Sequence, residues 1–159
     1  MRTSTKLLAV LGAALAALAA GCGAVPPPEV TFYADGAAVR AHPQILCDLA
    51  TLTCDEDEDA VVTLDIRPGY PVQISVPPSL AAEPWGVVFS YLDRDGERVD
   101  GSSKLFVPGQ FKQFAYTLEL PNEGDRLLFA AVQRLAIVQG ETPVPTGYWV
   151  LQAGEPPAA

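Results

Sequence analysis

Histidine, methionine, cysteine and positive charge are all scarce in this sequence. The 159 residues hold one histidine (His42), one methionine and three cysteines, and 10 basic side chains stand against 19 acidic ones, a formal charge of −9. With one histidine, any Ser–His or histidine acid–base scheme depends on His42 alone. His42 precedes Pro43 at the expected end of a hairpin, and no Gly-x-Ser-x-Gly nucleophile elbow accompanies it. No glycine loop of the kind that cradles phosphate is present. The acidity excludes nucleic acid as a partner, because that binding requires clustered Lys and Arg. It also sets the chain as a whole against anionic lipid headgroups, so membrane attachment must come from acyl chains. No apolar run is long enough to span a bilayer: Leu7–Ala20, as a helix, covers about 21 Å against a hydrocarbon core of about 30 Å.

What that run does fit is a secretory signal. Arg2 and Lys6 supply the positive start, Leu7–Ala20 the apolar centre, and Ala20-Gly21 the small residues before Cys22. Leu18-Ala19-Ala20-Gly21-Cys22 reads as a lipobox, cut before Cys22 and acylated there, with Ala19 where Leu is commonest. Simple secretion after small-residue cleavage is the alternative. Residues 1–21 are thus expected to be removed, leaving an acidic chain of single-domain length, too short for a two-lobed transport receptor. Two acyl chains on Cys22 anchor stably where one binds marginally. Acylation also resolves the odd cysteine count, leaving Cys47 and Cys54 as a disulfide in an oxidising compartment.

Residues 22–29 include Pro26-Pro27-Pro28, an extended tether. Beyond it the period is two. Val30–Ala34, Asp35-Gly36 and Ala37–Arg40 read as strand, tight turn and strand. The stretch to Cys54 reads as a disulfide-closed loop. Val62, Leu64 and Ile66 alternate, as do Val72, Ile74 and Val76, and then Trp85, Val87, Phe89 and Tyr91. Asp93–Gly96 is a turn, from which Glu97–Val107 runs back. Phe114, Tyr116, Leu118 and Leu120 share one face. Asp125–Val138 fits either a helical face or a strand carrying a bulge, and the all-β context favours the strand. Tyr148–Gln152 is the last strand. The expectation is an all-β, antiparallel, immunoglobulin-like β-sandwich of about 7–9 strands over residues 30–153, with a disordered tail at 154–159.

Several motifs in order resemble one family: the lipobox, Val30–Gly36, the Cys47 and Cys54 pair, Val76-Pro77-Pro78, Pro84–Tyr91 and Gly147-Tyr148-Trp149. Together they are similar to an uncharacterised family of actinobacterial lipoproteins, domain of unknown function 2771. The resemblance implies a membrane-anchored extracytoplasmic protein and carries over no catalytic residue.

Three groups of side chains merit weighing for chemistry. In Asp55–Asp59 the alternate carboxylates Asp55, Asp57 and Asp59 are weak Ca²⁺ candidates, although the glycine and distant glutamate of an EF-hand loop are missing and a solvated acidic loop explains the run. Asp93–Glu97 has similar spacing, but a glycine turn accounts for it. Adjacent aromatics on a strand point to opposite faces. Burying Phe32 and Trp149 therefore leaves Tyr33, Tyr70 and Tyr148 as a candidate ligand platform. With no nucleophile, acid–base pair or metal set in evidence and no cofactor expected, the sequence reads as a non-enzymatic module. It would lie on the outer face of the cytoplasmic membrane, held through acyl chains on Cys22, and bind or scaffold envelope proteins. A cell-wall glycan-binding module using exposed aromatics is the alternative, and a carboxylate-only envelope hydrolase is the third reading.

Overall fold

A computed structural model describes residues 26–109, 112–137 and 142–154. The signal segment, Cys22 and the tail from residue 155 lie outside the described residues.

The first sheet grows from the Asp-Gly hairpin. Strands β1 (Val30–Ala34) and β2 (Ala37–Ala41) pair from Val30↔Ala41 to Ala34↔Ala37. Asp35 (φ 49°) and Gly36 (φ 83°) are both left-handed, as a two-residue hairpin turn requires. Strand β6 (Val72–Ser75) adds to β1, and β9 (Ala115–Leu118) adds to β6, giving the order β2-β1-β6-β9. Alternation then divides the faces. Val30, Phe32, Ala34, Val72, Ile74 and Leu118 point inward and are buried, while Tyr33, Gln73 and Thr117 are exposed.

The second sheet has seven strands. They are β3 (Ile45–Asp48), β4 (Thr53–Glu56), β5 (Val62–Asp65), β7 (Trp85–Leu92), β8 (Arg98–Ser102), β10 (Arg126–Ala136) and β11 (Val144–Gly154). Their order is β4-β3-β11-β10-β7-β8, with β5 lying parallel to the far half of β11. A single helical turn, Pro78–Ala81, crosses between the sheets and buries Leu80. Between the sheets lie Trp85, Trp149, Phe32, Ile74 and Leu151, all essentially inaccessible to water. Each tryptophan finds a carbonyl for its indole N–H, as a buried indole needs. Trp85 donates to Gln113 O at 3.2 Å and Trp149 to Pro28 O at 2.7 Å.

The antiparallel all-β sandwich is the architecture the sequence predicts, and the strands number eleven among the described residues. The two additional strands are β3 and β4. The segment read as a disulfide-closed loop is a hairpin, with Cys47 directly opposite Cys54 and the two disulfide-bonded. The segment that fitted helix or strand is β10, and its register shifts between Leu127 and Phe129. That bulge lets the consecutive apolar residues Leu127 and Leu128 sit in a strand, and returns Ala130 and Val132 to the core.

Pairing also fixes two ends. At one, β1, β7 and β11 begin and β2, β6 and β10 finish, so the tether enters here. At the other lie the turns at Asp35-Gly36, Arg67–Tyr70, Asp93–Gly96 and Asn122–Asp125. Gly69 N–H donating to Asp125 O at 3.0 Å ties two of these turns together.

Candidate functional site

The larger concavity opens at the tether end, between the β3–β4 hairpin and the end of β10. It encloses about 730 Å³ and is lined by Leu46, Leu49, Glu83, Arg134, Leu135 and Ile137 among others. Arg134 builds it. Its guanidinium donates to Cys47 O and to Thr146 O (3.1 Å), and its Nε donates to Thr146 Oγ1 at 3.0 Å. Three acceptors on two strands thus hold the disulfide hairpin against β10 and β11, so the groove wall is fixed by a covalent bond and by hydrogen bonds from a charged donor together. The lining is partly apolar and open to solvent: Leu49 (58% exposed) and Ile137 (51%) both belong to it. Asp48, Asp55 and Glu83 add negative charge to the lining.

A smaller cleft of about 310 Å³ lies at the opposite end, lined by Tyr33, Asp35, Gly36, Tyr70, Pro71 and Gln73. The Arg67 guanidinium lies 4.0 Å above the Tyr70 ring, a cation–π geometry. It also makes a bidentate ion pair with Asp35, with Nε to Oδ2 at 2.6 Å. The hydrogen bond from Arg67 holds the Asp35 carboxyl below its ordinary range, and the same pairing pushes the guanidinium up. Tyr33 and Tyr70 are therefore brought together. Tyr148 is not: it sits on β11 opposite Ile45 and Gln133, on the other sheet, facing away from the core that its neighbour Trp149 fills.

The remaining sequence candidates are dispersed. Asp55 belongs to β4, whereas Asp57 caps a single 3₁₀ turn at Glu58–Ala60 by accepting from Asp59 N–H at 3.1 Å. Among the described residues no three carboxylate, cysteine or histidine side chains converge to hold a metal ion. His42 is exposed, 3.5 Å from Glu29 Oε1, and no hydroxyl or thiol is bonded to it. The Asp93–Glu97 segment is a turn, in which Asp93 Oδ1 accepts from Asp95 and Glu97 N–H, both at 2.9 Å. Sequence reasoning missed Arg134. Its signal was a lone cation inside the apolar run Leu127–Val138, a placement that costs too much unless the charge is satisfied locally.

The fold and these two clefts define a class, the small two-sheet β-sandwich with an open cleft towards each end. The chain belongs to the family described as a protein of unknown function, DUF2771, whose model matches residues 24–153. An uncharacterised protein of Mycobacterium bovis is 29% identical over 146 residues, covering 87% of each chain. Uncharacterised proteins from two strains of Mycobacterium tuberculosis match to the same extent. No solved structure matches.

Proposed function

We propose that this protein is an exported lipoprotein, anchored through acyl chains on Cys22 to the outer face of the cytoplasmic membrane. It acts as a non-enzymatic module that docks an envelope protein. The observation that carries the docking reading is the groove beneath the disulfide hairpin. Its wall is locked by Arg134 and the Cys47–Cys54 bond, its lining exposes Leu49 and Ile137, and it is acidic at Asp48, Asp55 and Glu83. A preorganised apolar groove with acidic edges suits an apolar segment flanked by basic residues. Opening at the tether end, it suits a segment lying close to the bilayer. A photo-crosslinking amino acid at Leu49 in living cells is expected to give one discrete adduct, abolished by Ile137→Asp. Adducts that persist in that variant, or that form equally from Thr117 on the other sheet, overturn the docking reading.

A second reading rests on the paired Tyr33 and Tyr70, beside Gln73 and Asp35 at the end away from the tether. Two tyrosine rings with polar neighbours present the chemistry of a glycan platform facing the cell wall. Retention on purified cell wall that is lost in Tyr70→Ala supports it. A wild-type protein that washes straight through retires it.

A further inference from the structure

Positive charge in this protein is nearly all spoken for. Arg40 lies 3.8 Å from Glu29, Arg67 pairs with Asp35, Arg98 with Asp100, Arg94 donates to Asn122, and Arg134 is bound to carbonyls. Lys104 and Lys112 differ. With Lys6 of the signal segment they are the chain's only lysines, and among the described residues neither has a carboxylate within ion-pair distance. Both belong to the segment joining β8 to β9, inside a run from Gly101 to Leu118 that contains no acidic residue. The same segment exposes Val107 (57%) and Phe114 (46%), while Phe106, just before Val107, is buried against Trp85. Lys104 Nζ lies 5.6 Å from the centroid of the Phe106 ring, so a chain this acidic has gathered two lysines without a carboxylate partner among the described residues, and exposed apolar side chains, in one connection.

The position of that connection decides what covers it. Phe106 bridges to Trp85, the first residue of β7, and Phe114 O accepts from Val76 N–H at 2.9 Å. Val76 shares a surface groove with Pro26 and Pro27 of the tether. The segment therefore lies beside the point where the tether leaves the domain. Cys22 lies four residue steps before Pro26, a reach of at most about 14 Å. If Cys22 carries acyl chains in a bilayer, the headgroup surface lies within that distance of this end. The acidic run Asp55–Asp59 begins in the last two residues of β4, whereas the lysines follow β8, and β4 and β8 are opposite edges of one sheet. That run is thus held at the far edge, beyond a Debye length of about 8 Å in physiological salt for a sheet several strands wide, whereas Glu29 and Glu83 stay at the tether end.

We propose that Lys104, Val107, Lys112 and Phe114 form an interfacial membrane contact, in which Lys104 and Lys112 meet anionic headgroups while Val107 and Phe114 enter the boundary between headgroups and acyl chains. The inference rests on the reading of Cys22 as the lipid anchor. It adds an orientation: the domain stands with its tether end down on the bilayer and its tyrosine cleft outward.

The test uses the full mature lipoprotein reconstituted into vesicles of phosphatidylcholine with about 30% phosphatidylglycerol. An environment-sensitive fluorophore is attached through Val107→Cys or, at the opposite end, through Asp95→Cys. Flotation with the vesicles reads the anchor. Quenching by a nitroxide lipid reads the contact, and should be at least about threefold stronger at position 107 than at 95. The double substitution Lys104→Gln, Lys112→Gln should cut that quenching severalfold on anionic vesicles, at about fivefold in partition per lysine, with flotation unchanged. Flotation with equal quenching at 107 and 95 overturns the contact and leaves the anchor standing. Failure to float overturns the anchor, and the contact with it.

Discussion

Asp35 carries two duties. Its backbone takes the left-handed conformation of the hairpin turn, and its carboxylate holds the guanidinium that covers Tyr70. Because pairing with Arg67 lowers its folded-state pKa, the stabilisation is complete above the ordinary carboxyl value and fades as the pH falls through the lowered one. A carbon-detected titration should place Asp35 below a free aspartate, and Arg67→Ala should restore the ordinary value. An unshifted Asp35 in the wild type rules out the pairing in solution. Gly69 is constrained more severely. At φ 75° a side chain there is strained, and an added Cβ would run into the backbone of Glu123. Gly69→Ala should therefore cost at least about 2 kcal/mol in denaturant unfolding, whereas Gly36→Ala, with open space around it, should cost only the strain of its φ, about 1 kcal/mol. At this scale the Asp-Gly turn was legible in the sequence, since turn chemistry is local. The arginine roles were not, because the partners of Arg67 and Arg134 lie 32 and 87 residues away.

Among the elements, the β3–β4 hairpin is the one most dependent on a covalent bond. It is short, lies at a sheet edge and buries little, with every residue of β4 exposed. Replacing both cysteines by serine should lower stability by about 2.5 kcal/mol on the chain-entropy account of so small a loop. Amide exchange should rise first in β3 and β4 and leave β7 and β10 protected. Uniform loss across the sheet would show that the bond supports the whole fold. Arg134→Met should loosen the same hairpin from the other side, removing donors from Cys47 O and Thr146 O at a cost of about 1–3 kcal/mol. The hairpin was hidden in the sequence because Leu46-Cys47-Asp48 and Thr53-Cys54-Asp55 bury no alternating apolar face, which is the signal that marks a strand. Strand β10 was legible only as an ambiguity, since its bulge breaks the two-residue period at Leu127 and Leu128.

For the whole molecule, composition and periodicity were enough for a two-sheet sandwich, because each sheet buries one face and the alternation records it. The clefts were much less legible. Tyr33 and Tyr70 could be named as exposed aromatics, yet only the β1–β6 pairing and the Arg67 contact make them neighbours. Anchoring belongs to this scale as well. Cys22→Ala should move the protein from the membrane to the soluble fraction, and a variant that still sediments with membranes removes the lipoprotein reading.

The bond between the Trp149 indole and Pro28 O has a mechanical consequence. A protein held at its N-terminus and grasped at its far end is pulled along β1, which runs from the tether toward the opposite turns between two hydrogen-bonded neighbours. Such a load shears the ladders on both sides of β1 at once instead of peeling them open bond by bond, and the indole clamp must yield before the load reaches the strand. If Cys22 is the anchor, tension on the domain runs along the axis on which these bonds are loaded together.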